Sequence, residues 1–152
     1  MRHADTVWDK KRVFAGWADP DLAPGAAQQV DGAARVLRES GYNIDTVYTS
    51  ILKRSVRTAW LLLKELGRIH VPVWKHWRLN ERHYGALQGR SKLEMIDEHG
   101  REQVRLWRQS FDAPPPPLRA ADARHPGNDA AYARVPRHLL PRGECLRATQ
   151  RR

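Results

Sequence analysis

Apolar positions recur at helical spacing between residues 24 and 40, where Ala26, Val30, Ala33, Ala34 and Leu37 form a stripe along an otherwise polar segment. Pro24 suits a first turn and Gly41 a stop, so the spacing predicts a helix over 24–40. A short strand is expected over Asp45–Thr49, carrying Val47 and Tyr48, followed by a helix from Ile51 to Leu66 that Ser50 can cap and Gly67 ends. Val71-Pro72-Val73-Trp74 reads as a second brief strand, and Pro72, with no N–H for a ladder, places it at a sheet edge or a strand start. Strand, helix, strand in this order predicts a crossover unit of a parallel sheet. Further on, Ser91-Lys92-Leu93-Glu94 has the form of a capping box opening a helix to His99, stopped by Gly100, and a helix from Arg101 to about Arg108 turns Val104 and Trp107 inward. Pro114 to Pro117 can only be extended polyproline II. Residues 118–138 have little apolar periodicity and are expected to be loop, so that 113–138 forms an extended loop region. No internal repeat is visible.

Composition narrows this picture. The 152 residues suffice for about one domain, but 41% hydrophobic residues, 29% charged ones and a mean hydropathy of -0.71 predict a thin core. A net charge of +10 calls for anionic partners, which nucleic acid, a membrane surface and phosphorylated metabolites satisfy equally. The single cysteine, Cys145, excludes an internal disulfide and agrees with a reducing compartment. No apolar run approaches membrane-spanning length and no apolar signal core follows Met1-Arg2-His3-Ala4-Asp5, so a cytoplasmic location with no membrane partner is expected.

The chemistry concentrates in Arg78-Leu79-Asn80-Glu81-Arg82-His83-Tyr84-Gly85-Ala86-Leu87-Gln88-Gly89. A dodecamer this polar is ordinarily a solvated loop. Here, however, Arg78 and Arg82 would hold Glu81 ionised while Trp77 and Tyr84 could shield it from water, opposed influences of the kind that set up a carboxylate as a general acid or base. Gly85 and Gly89 allow close backbone approach to a ligand.

This stretch closely resembles the Leu-Asn-Glu-Arg-His-Tyr-Gly-Ala-Leu-Gln-Gly signature of the 2,3-bisphosphoglycerate-dependent phosphoglycerate mutases, members of the histidine phosphatase superfamily. Supporting blocks stand in the family's order: Arg2-His3, Phe14-x-Gly16-Trp17, Tyr48-Thr49-Ser50, Leu52-Lys53-Arg54, Arg57-Thr58, Trp107-Arg108, the prolines from Pro114 to Pro117, and His125-Pro126-Gly127. Leu140-Pro141-Arg142-Gly143-Glu144-Cys145-Leu146 follows the family's Leu-Pro-x-x-Glu-Ser-Leu, with Cys145 at the serine. Family members are longer, so the resemblance implies a partial phosphoglycerate mutase domain over 1–152, short of a few residues before Arg2 and of a large piece, with a second catalytic histidine, behind.

The resemblance implies an α/β fold, a mostly parallel sheet with helices on both faces, and interconversion of 2- and 3-phosphoglycerate in glycolysis and gluconeogenesis. His3 would be the nucleophile, at the end of a central strand, and Glu81 the proton donor and acceptor; Arg2, Gly16, Arg54, Arg82, His83, Tyr84, Lys92 and Arg108 would bind substrate. 2,3-Bisphosphoglycerate would be the phosphoryl donor, phosphoglycerates the partners, no metal would be needed, and a complete protein could form a homo-oligomer. Three departures weaken the phosphate-binding set: Asp9 stands at a neutral donor, Ala15 at a hydroxyl side chain and Gln109 at the second of two arginines. Activity of these residues alone is therefore expected to be impaired. The alternatives are a phosphatase that hydrolyses phospho-His3, and an inactive remnant or basic nucleic-acid-binding module. Nucleic acid ranks behind because the 27 basic residues are spread along the chain and fall within the mutase blocks.

Overall fold

The stripe between residues 24 and 40 forms α1 over Ala26–Glu39 in the computed structural model, which describes residues 1–152. Ala26, Val30 and Ala34 are buried, whereas Ala33 and Leu37 lie at the margin. The chain divides into two compact units, residues 1–10 with 19–80 and residues 11–18 with 81–152. No helix is long and apolar enough to cross a membrane.

In the first unit, α1 packs against α2 (Lys53–Glu65), and Ala4, Ala26, Val30, Ala34 and Leu62 make the shared core. The small side chains of α1 let the helices approach closely, at the cost of little buried apolar area. The start of α2 differs from expectation. Leu52, not Ser50, is the N-cap residue; the Ser50 hydroxyl accepts only the Leu52 N–H, at 3.3 Å. The first donors are taken instead by distant side chains, Lys53 N–H by Asp19 Oδ1 at 2.8 Å and Ile51 N–H by Asn80 Oδ1 at 3.3 Å. Strand β1 is shorter than expected, Val47–Thr49, and pairs in parallel with β2, Val73–Lys75, placing Val47 beside Val73 and Tyr48 beside Trp74. Pro72 does precede the strand, and its carbonyl accepts the Val47 N–H. Residues 1–5 carry no strand, so His3 is not delivered by a sheet; the Ala23 N–H donates to the Asp5 carbonyl at 2.8 Å and Thr6 makes an isolated bridge to Leu22.

The second unit is built on Phe14, whose N–H donates to the Arg90 carbonyl and whose carbonyl accepts the Gly89 N–H. Phe14, Leu87, Met95 and Val104 form its core, with α3 (Lys92–His99) and α4 (Arg101–Gln109) packed together. Only half of the predicted capping box forms: the Ser91 hydroxyl accepts the Leu93 N–H, while Glu94 lies 3.8 Å from Arg90. Residues 113–138 form no α-helix or strand, as expected of an extended loop region, but they are partly buried. Pro115 and Leu118 are fully buried, the Pro116 carbonyl accepts the Ala86 N–H at 2.8 Å, and Leu118 N–H reaches the Arg142 carbonyl at 2.7 Å. Three single-turn 3₁₀ segments follow, and Tyr132 in the second stacks on Trp17 at 4.9 Å between ring centres. Backbone pairing and proline faces bury this segment without needing a period in its side chains. A last short helix, α5, spans Leu146–Arg151.

Candidate active site

His3, Arg2 and Arg54 meet in the first unit. The His3 ring is half-buried, and its Nδ1 lies 2.7 Å from the Ala4 carbonyl oxygen. A carbonyl can only accept, so the proton is on Nδ1 and Nε2 carries the free electron pair. That pair faces the Arg54 guanidinium, whose Nε–H donates to it at 3.2 Å. Burial holds the His3 pKa below the ordinary imidazole value of 6.5; the Ala4 hydrogen bond opposes this, and the charges of Arg54 and Arg2 reinforce it. The result is a neutral imidazole with its nucleophilic nitrogen turned toward a cation.

Arg54 is fixed in this position by burial and by its helix. It is 1% exposed despite its charge, the second residue of α2. Thr58, one turn later, donates its hydroxyl to the Arg54 carbonyl at 2.6 Å and accepts the Ala4 N–H at 3.0 Å, so one side chain ties the His3 backbone to the Arg54 turn. Sequence reasoning noted Thr58 only as part of a block; its role follows from a contact 54 positions away. A cavity of about 510 Å³ opens beside His3, lined by Arg2, Thr49, Ser50, Ser55 and Thr58 on its polar side and Val47 and Leu62 on its apolar side.

The second unit gathers most of the other expected residues around Phe14. Tyr84 packs on Phe14 at 5.1 Å, the Arg82 guanidinium lies over the Tyr84 ring at 4.9 Å, and Lys92 Nζ sits 5.8 Å from the Phe14 ring centre. Arg82 Nη2 donates to the Tyr84 hydroxyl at 3.2 Å and to the carbonyl of Arg108, whose side chain is exposed. Arg82 is 6% exposed, yet its Nε and Nη1 have no protein partner. Buried guanidinium N–H groups are costly to leave unmade, so this geometry fits an incoming anion. Glu81, by contrast, is exposed rather than shielded. Tyr84, expected to cover it, is occupied by Phe14 and Arg82, while the Glu81 carbonyl accepts the Trp17 indole N–H at 2.7 Å.

The sequence profile of the histidine phosphatase superfamily, branch 1, matches residues 1–152. The chain belongs to this superfamily. Solved structures agree on the fold: alpha-ribazole phosphatase from Shigella flexneri is 20% identical over 99% of the chain with a TM-score of 0.65. Phosphoglycerate mutase from Bacillus anthracis str. Sterne is 24% identical over 63%, TM-score 0.59. A mycobacterial glucosyl-3-phosphoglycerate phosphatase, in complex with inorganic phosphate, is 28% identical over 75%, TM-score 0.59. The chain spans 60%, 41% and 50% of the lengths of these three proteins, respectively. The chain is thus α/β, with helices and a parallel sheet, as its strand–helix–strand pattern predicts.

Two residues expected to touch substrate are instead enclosed in the histidine phosphatase fold. His83 has no exposed surface: Nδ1 accepts the Gly85 N–H at 3.0 Å, Nε2 faces the Gln88 amide at 3.4 Å, and its backbone N–H donates to the buried Glu144 carboxylate at 2.8 Å. The imidazole shapes the loop from within. Gly16 is buried at φ 56, and a Cβ there would press on the Tyr84 nitrogen at 3.0 Å and the Gln88 amide oxygen. Gln88, given no role by the signature that contains it, accepts the Trp17 N–H through Oε1 at 2.6 Å, and its backbone carbonyl accepts from Arg124 Nη1 at 2.7 Å. Glu144, which stands in the 140–146 block without a role, is buried; burial raises its pKa, against the opposing His83 N–H bond and the charges of Arg152 and Arg82.

Burial also pushes the His83 pKa from 6.5 down to about 3, with the charges of His125, Arg152 and Arg124 adding to it. The unfolded chain therefore takes up a proton below pH 6.5 that the folded chain refuses until about pH 3. Stability from this group is complete above 6.5 and is lost as pH falls toward 3, at up to about 1.4 kcal/mol per pH unit. Denaturant midpoints measured from pH 7 to pH 5 are expected to decline, and to decline less steeply in His83→Gln. Equal slopes in the two proteins would contradict this assignment.

Proposed function

We propose that the chain carries phosphoryl-transfer chemistry through phospho-His3, acting on small phosphorylated metabolites, with 2- and 3-phosphoglycerate as the pair best matched by its signature. The observation that carries this reading is the His3 tautomer: Nδ1–H bonded to Ala4 and the Nε2 electron pair directed at Arg54. In the first half-reaction Nε2 attacks phosphorus, an N–P bond forms and the P–O bond to the leaving oxygen breaks. Arg54 and Arg2 neutralise the phosphoryl oxygens, and the Arg54 N–H that now points at Nε2 transfers its hydrogen bond to one of them. Glu81 gives a proton to the leaving oxygen. In the second half-reaction it takes a proton from the attacking hydroxyl, whose oxygen forms a new P–O bond as the N–P bond breaks and its electron pair returns to Nε2.

2,3-Bisphosphoglycerate would supply the initial phosphoryl group. The buried, unpartnered Nε and Nη1 of Arg82 fit an anionic group of such a ligand, with Lys92, Tyr84 and Arg108 as the neighbouring contacts. A phosphatase is the second reading, favoured by the pairing of Arg2 with Asp9 at 2.9 Å, which reduces the charge available to retain a polyanionic acceptor. Incubation with 2,3-bisphosphoglycerate followed by 3-phosphoglycerate distinguishes them: 2-phosphoglycerate is the expected product, and Glu81→Gln should slow that transfer more than the labelling of His3. Release of inorganic phosphate without 2-phosphoglycerate would establish the phosphatase instead.

A further inference from the structure

The residue next to the nucleophile is already engaged by an internal anion. Asp9 Oδ1 accepts from Arg2 Nη2 at 2.9 Å, and Oδ2 accepts from the Thr6 N–H at 2.7 Å and the Thr6 hydroxyl at 2.6 Å. These are a guanidinium, a backbone N–H and a hydroxyl, the donor set with which proteins bind a phosphoryl oxygen. The carboxylate is two-thirds enclosed, its side chain 29% exposed. Burial alone would raise its pKa, but the Thr6 and Arg2 hydrogen bonds outweigh burial and hold it below the usual carboxylate range. Asp9 is therefore an anion throughout the neutral range. Its charge is felt at the His3 ring, where it opposes Arg54 and Arg2.

We infer that Asp9 is an intramolecular competitor for Arg2: its carboxylate occupies the guanidinium that a phosphate at His3 would use, lowers phosphate affinity and disfavours the most highly charged substrates. The inference rests on the functional reading of His3 given above. It makes Asp9 a specificity-determining residue through Arg2, without contact to the reacting atoms. A phosphoryl group then either displaces the carboxylate from Arg2 Nη2 or shares the guanidinium with it, where Asp9 offsets part of the positive charge. Both reduce affinity.

A bland account is that Asp9 only fixes the turn after Thr6. Asparagine separates the two, because its amide oxygen can still accept from Thr6 while its charge, and with it the hold on Arg2, is gone. Inorganic phosphate binding to the 152-residue chain is measured by calorimetry for wild type, Asp9→Asn, Arg2→Ala and the double variant. The dissociation constant is expected to fall about 5- to 10-fold in Asp9→Asn at low salt, with a smaller gain at high salt. In the Arg2→Ala background the same exchange should gain less than about twofold, since no guanidinium remains to be released. No gain in Asp9→Asn, or an equal gain with and without Arg2, overturns the inference. Phosphohistidine labelling at His3 reports separately on the functional reading. Labelling with no effect of Asp9→Asn overturns the Asp9 inference alone, and absence of both phosphate binding and labelling overturns both.

Discussion

His3→Ala is expected to abolish phosphohistidine formation and to reduce any phosphoryl transfer by a factor on the order of 10⁴ or more, the scale seen when a covalent nucleophile is removed. Seven histidines are available, and the structure separates them sharply. His83 and His125 are buried at 0% and 4% exposure and accept backbone N–H bonds from Gly85 and Gly127 through Nδ1. His70, His76, His99 and His138 are exposed. Of these, His76 is occupied as acceptor for the Arg78 N–H, and His99 lies against Trp107 and 3.7 Å from Glu98. Only His3 combines accessibility with an electron pair aimed at a buried guanidinium. Mass-spectrometric mapping after exposure to 2,3-bisphosphoglycerate should find the phosphoryl group on His3. Because the His3 pKa is lowered, the reactive neutral form persists below pH 6.5, and the acid limb of the labelling rate should lie below that value. Label retained in His3→Ala would remove the central residue from the mechanism.

Gly85→Ala is expected to give the largest loss of stability in the second unit. Its φ is 56, a region that costs an L-residue about 1–2 kcal/mol, and the new Cβ would overlap the Pro116 carbonyl oxygen and approach the Arg142 carbonyl oxygen at 3.0 Å. Both are backbone atoms in paired segments: Pro116 accepts from Ala86, and Arg142 accepts from Leu118. Neither can retreat by turning a side chain. Adding roughly 1–3 kcal/mol for overpacking gives a total of about 2–5 kcal/mol. A melting temperature lowered by about 10 °C is the expected reading for a domain of this size. A shift under about 2 °C would mean that the 113–118 segment does not pack on this loop as described.

Local patterns accounted for what neighbours in sequence can decide. The α1 stripe, the Gly100 stop, the brief parallel strands and the pairing of Val104 with Trp107 on α4 depend on spacing along one element, and they formed within a few residues of expectation. His3, Arg54 and Arg82 could be named from their motifs as candidates for phosphate chemistry. Their states could not. The proton on His3 Nδ1 depends on where the Ala4 carbonyl points, and the Ala4 backbone is held by Thr58, 54 positions away. Ser50 does not cap α2: Leu52 is the N-cap residue, the Lys53 N–H goes to Asp19 and the Ile51 N–H to Asn80. His83, polar in sequence and flanked by charge, is fully buried because Gly85, Gln88 and Glu144 surround it. Residues 113–138 lack periodicity and yet supply Pro115, Leu118 and Tyr132 to the interior. In each case the deciding contact joins residues remote in the chain: a side chain's protonation, burial and hydrogen-bond partner are set by which distant groups fold against it, and no local pattern encodes that proximity.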